Sequence, residues 1–81
     1  MTTSIHTTTK ITPWDDREFV RAYEQAREAV HQEGLGDGPA AAAEVQRRLH
    51  EAGYPDARVD VARTAEEAID QVSHWVVSRD G

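Results

Sequence analysis

Three glycines and a proline fall within the six residues Gly34-Leu35-Gly36-Asp37-Gly38-Pro39, and no regular element runs through such a stretch. Glycine ends a helix in the left-handed region, and proline suits the first turn of the next one. The chain must turn here. On the N-terminal side Phe19, Tyr23, Ala26 and Val30 form one helical stripe with Ala22 beside it, while Arg17, Glu24, Arg27 and Glu28 lie off it. Ala42, Val45, Leu49 and Ala52 form a second stripe beyond the turn. Two helices joined this way make a hairpin. Thr12-Pro13-Trp14-Asp15 supplies a capping threonine and a proline at the first helical position, with Asp15 and Asp16 at the positive end of the dipole. The first helix is thus predicted from Pro13 to residues 31–33. The second runs from Pro39 to Gly53, where a left-handed glycine lets Tyr54 fold back on Leu49 and Pro55 stops continuation.

The flanks read as β-strand and helix. Residues 1–12 alternate, with Ile5, Thr7, Thr9 and Ile11 on one parity and Ser4, His6, Thr8 and Lys10 on the other, the pattern of a strand or, failing that, a flexible tail. Residues 13–81 then form a single small globular domain. Arg58-Val59-Asp60-Val61-Ala62-Arg63 is the clearest strand, with Val59 and Val61 on one face. Thr64-Ala65-Glu66-Glu67 has the form of a capping box. Ala65, Ala68, Ile69, Val72, Trp75 and Val76 continue from it as an amphipathic stripe, so a third helix is predicted nearly to the C-terminus. The resulting fold class is α+β and mostly helical, in the order β-α-α-β-α, with three helices and a small two-stranded sheet.

Size makes such a fold marginal. Of the apolar residues in 81 positions, twelve are alanine, which leaves few large side chains for a core that needs a supplement at this length. There is no cysteine, so neither a disulfide nor a thiolate metal site can supply it. Dimerisation can, because pairing equivalent strands across a two-fold axis completes the sheet and enlarges the core. The candidate interface residues are Ile5, Ile11, Val59, Val61, Trp75 and Val77, the last expected as an exposed valine off the stripe of the third helix.

The formal net charge of −6 disfavours nucleic acid and anionic membranes as partners. Arg47, Arg48, Arg58 and Arg63 could gather, but Asp56 and Asp60 are interleaved with them, and a solvated face is the reading taken. No apolar run reaches membrane-spanning or signal-peptide length, so the expected location is the cytoplasm and no membrane is expected as a partner. The preference for arginine, with Lys10 the single lysine, is one that often accompanies GC-rich, commonly bacterial, coding sequence.

Chemistry-bearing patterns are sparse. His6, His31, His50 and His74 fall on four different elements without a metal-ligand spacing. Asp15, Asp16, Glu18, Glu66 and Glu67 are absorbed by helix starts, and the serines Ser4, Ser73 and Ser78 lie in no nucleophile motif. The glycine cluster lacks the lysine and hydroxyl residue of a phosphate loop. No catalytic residue, metal or cofactor is therefore assigned. Small acidic helical domains of this length include acyl carrier domains, but those need a modifiable serine opening the second helix, where this chain has Asp37-Gly38-Pro39. Residues 47–72, with Glu51-Ala52-Gly53-Tyr54, a strand and Thr64-Ala65-Glu66-Glu67-Ala68, look like one helix-to-helix portion of a response-regulator receiver. The receiver's acidic pair and phosphoacceptor aspartate have no counterpart, so no phosphotransfer function is implied. The expected function is a non-catalytic interaction or regulatory module, self-associating as a homodimer and binding a protein partner. The alternative is a small-molecule binder or enzyme with a site between subunits, lined by Trp14, Tyr23, Tyr54 or Trp75.

Overall fold

A computed structural model describes residues 15–79, in the order α1 (Arg17–Gln32), α2 (Pro39–Glu51), β1 (Ala57–Val61) and β2 (Trp75–Arg79). The strand predicted over residues 1–12, with Ile5 and Ile11, lies outside the described residues, as do Thr12, Pro13 and Trp14. Within them, α1 starts at Arg17 rather than Pro13. Its cap is Asp16, whose Oδ1 accepts the N–H groups of Glu18 at 3.0 Å and Phe19 at 3.2 Å, satisfying donors that the first turn leaves free.

The two helices end alike. Gly34 has a φ of 76°, and Leu35 N–H returns to the Val30 carbonyl at 3.3 Å. At the end of α2, Gly53 has a φ of 106° and Tyr54 N–H returns to the Leu49 carbonyl at 3.0 Å. Both are Schellman closures, in which the returning bond satisfies a carbonyl that the helix end would orphan. The second brings Tyr54 edge-on to Phe19, with ring centroids 5.1 Å apart. Gly38 and Pro39 open α2 as the sequence predicts. Ala52 is an exposed C-cap, not part of the buried stripe.

The third helix does not form. Thr64 Oγ1 does accept Glu67 N–H at 3.4 Å, and the Glu67 carboxylate takes Arg63 N–H at 3.3 Å, so the capping signal is consumed within one turn. Asp70 then redirects the chain. Its Oδ1 accepts the N–H groups of Val72 at 3.0 Å and Ser73 at 3.3 Å, a local closure that competes with helix propagation. His74 closes the turn in the left-handed region at a φ of 58°, and Trp75 bridges back to Asp70. From Trp75 onward the β-branched residues take a period of two, with Trp75 and Val77 buried and Val76 and Ser78 less so. The described fold is therefore α+β with two helices and a two-stranded antiparallel sheet.

The register pairs Ala57 with Arg79, Val59 with Val77 and Val61 with Trp75. Those pairs share the face turned to the helices, where α2 packs on β1 and α1 on α2. Phe19, Tyr23, Val30, Val45, Leu49, Trp75 and Val77 make up most of the buried core. Fully burying a large apolar side chain contributes about 2–3 kcal/mol, so Trp75 and Val77 are among the residues that hold the sheet to the helices.

Candidate functional site

The four candidate interface residues that are described do not form one exposed surface. Val59, Trp75 and Val77 are buried in the chain's own core, with Val77 at 0% exposure, whereas Val61 is 41% exposed. Val77, expected to be exposed on a helix, instead alternates inward on a strand. Tyr23 and Trp75 of the alternative ligand site are likewise fully buried, and Tyr54 packs against the core. Among the described residues no group of three or more histidines and carboxylates could hold a metal ion.

What the fold does assemble is a polar cluster that the sequence gives no direct sign of. Tyr23 and Arg27 are one helical turn apart on α1 and face the turn that follows β1. The Tyr23 hydroxyl donates to Asp70 Oδ2, and Arg27 Nη1 donates to the same oxygen at 2.9 Å. Asp70 is only 4% exposed. Burial works to raise the Asp70 pKa, but the hydrogen bonds from Tyr23 and Arg27 and the nearby guanidinium charge outweigh it, leaving the carboxyl below its ordinary value. Burial, followed by the bond to the Asp70 carboxylate, pushes the Tyr23 phenol well above its ordinary value. Beside them Ser73 Oγ lies 3.3 Å from His31 Nε2, and the His31 ring tilts over Trp75 at 6.1 Å. An ionised Asp70 facing a neutral phenol and a guanidinium is stable across the physiological range. Its evident work is to fasten the turn to α1.

The other end of β2 carries a second cluster. Arg79 lies over both Phe19 and Tyr54, 5.0 Å and 4.8 Å from their ring centres. Its Nη1 bonds Asp16 at 3.1 Å and its Nε stands 3.4 Å from Asp56. The Nε contact is an ion pair without hydrogen-bond alignment, since Nε is buried and makes no hydrogen bond.

Compared with known proteins, the chain matches no family model, no curated protein and no solved structure. Its own surface supplies the remaining features. Three apolar side chains are exposed around the Trp75 end of the sheet: Val61 opposite Trp75, Ile69 whose N–H bonds the Trp75 carbonyl, and Val72, which is 72% exposed. Val72 also lines an open groove with Glu24, Arg27, Glu28, His31 and Gln32 of α1. On α2, Arg47 is paired with Glu44 and Glu51, and Arg48 with Glu44 and Glu33, so these arginines are neutralised locally. No helix among the described residues is long and apolar enough to cross a membrane.

The cluster partners are far apart in sequence, with Arg27 and Asp70 separated by 43 positions. The one local signal was Asp70 itself, an aspartate placed to accept N–H groups two and three residues on, as in an Asx turn.

Proposed function

We propose that the chain is a non-catalytic association module that forms a homodimer and uses its apolar surface to bind a protein partner in the cytoplasm. The supporting observation is the exposure of Val61, Ile69 and Val72 around a turn that Asp70 ties to α1. Exposed apolar side chains on this firmly held turn and on the strand end beside it favour a contact role in so small a domain. The buried groups Tyr23 and Asp70 are engaged with each other and with Arg27, which favours a supporting role for them over a reactive one.

Light scattering coupled to size exclusion tests the reading. A species of twice the 9.0 kDa chain mass at micromolar concentration is expected. A monomer persisting to high micromolar concentration contradicts it.

A further inference from the structure

The backbone ladder shows which part of the sheet is available for pairing. Ala62 N–H donates to the His74 carbonyl at 2.9 Å, and in an antiparallel ladder the N–H and C=O of one residue point to the same side. Ala62, Asp60 and Arg58 therefore face β2, while Val61, Val59 and Ala57 turn their backbone groups outward. Those outward groups are interrupted. Ala57 N–H goes to the Tyr54 carbonyl, His50 Nε2 meets the Ala57 carbonyl at 2.8 Å, and Gln46 Oε1 accepts Val59 N–H at 3.1 Å. Side chains from α2 thus plug the middle of the β1 edge, and the exposed charges of Arg58 and Asp60 flank it, a common defence against unwanted pairing.

On β2 the outward residues are Trp75, Val77 and Arg79. Both backbone groups of Trp75 are taken by Ile69 and Asp70. At Val77 and Arg79 the outward N–H and C=O groups have no partner among the described residues. The intervening side chain is the uncharged Ser78, and the Arg79 charge is turned inward onto Asp16 and Asp56. Among the described residues no repulsive charge guards this edge.

Resting on the dimer reading above, we infer that the Val77–Arg79 edge of β2 pairs antiparallel with the same edge of a second copy, about a two-fold axis through Ser78. The pattern is self-complementary. With Val77 opposite Arg79 of the second copy, each N–H meets a C=O and every outward group on the edge is used. The β1 edge cannot do this, because Gln46 already holds the Val59 donor. The product is a four-stranded sheet of order β1-β2-β2-β1, with the apolar residues around Trp75 left free for another partner.

The two Ser78 residues would then form a non-hydrogen-bonded pair with Cα atoms about 4.5 Å apart, within the span of a disulfide. Because the chain has no cysteine, Ser78→Cys introduces a single thiol. Mild oxidation should cross-link it at least about tenfold faster than Arg58→Cys, whose thiol lies on the same outer face of β1, because pairing raises the local thiol concentration. In the unmodified chain the Val77 and Arg79 amides should exchange about tenfold more slowly as concentration rises through the dimer transition. A dimer whose Ser78→Cys variant cross-links no faster than Arg58→Cys, and whose edge amides stay fast, overturns this assignment while the association reading stands. A monomer with slow edge amides assigns the edge to another part of the same chain and overturns it too. A monomer with fast edge amides overturns both.

Discussion

At the Trp75 end of β2 the fixed charge is the Asp70 carboxylate, 4% exposed and surrounded by donors from Tyr23, Arg27 and two backbone N–H groups. At the Arg79 end it is a guanidinium spread over Phe19 and Tyr54, with Asp16 and Asp56 at its rim. The carboxylate is held by directed hydrogen bonds and leaves buried donors behind if it is removed. The guanidinium is held largely by aromatic faces and partly exposed ion pairs, which tolerate displacement better. The strand is thus fastened rigidly where the turn delivers it and more softly where it ends.

The largest effect should come from Asp70→Ala. Removing the carboxylate takes a shared acceptor from the buried Tyr23 hydroxyl, the half-buried Arg27 guanidinium and two backbone N–H groups, at a cost of about 3 kcal/mol in urea unfolding. Arg79→Ala should cost less, about 2 kcal/mol, since cation–π contacts and partly exposed ion pairs contribute modestly. An equal or reversed order would break the contrast between the two ends.

Smaller changes sharpen it. Tyr23→Phe removes one donor and should cost about 1–1.5 kcal/mol, and its pH signature is specific. The phenol has a raised native pKa, so its contribution is complete below its unfolded value of about 10 and declines as pH rises beyond it. Tyr23→Phe should therefore flatten the alkaline limb of the stability profile. Asp70 has a depressed native pKa, so its contribution is present above its unfolded value of about 4 and is lost as pH falls through the native one. Asp70→Asn should flatten the acid limb. The smallest effect is a gain: His74→Gly relieves the left-handed backbone at 58° and should raise stability by up to about 1 kcal/mol, seen as a higher Tm.

The same division explains what could be read from the sequence. The helix hairpin was legible because its determinants are local: Gly34, Pro39 and Gly53 at the corners, and stripes such as Phe19, Tyr23, Ala26 and Val30 between them. The segment after β1 was not. Ile69, Val72, Trp75 and Val76 recur at helical spacing, and a short apolar run satisfies a helix or a buried strand equally well by periodicity. The choice was made by contacts from elsewhere in the chain, namely Tyr23 and Arg27 capturing Asp70 and β1 offering Val59 to Val77. Val77 changed from an expected surface residue to a core one because the period changed from helical to two. Arg79 gave no earlier signal, since its partners Asp16 and Asp56 become neighbours only after the hairpin closes.

Both the free β2 edge and the burial of Trp75 and Val77 require residues 75–79 to be a strand in this register. Val59 and Val77 form a non-hydrogen-bonded antiparallel pair, the arrangement that brings opposite α-protons closest. A two-dimensional NOE spectrum of the unmodified chain should contain a strong cross-peak between the α-protons of Val59 and Val77. Its absence, together with a continuous series of contacts between residues three apart from Ala65 to Val77, would restore the helix and contradict the account.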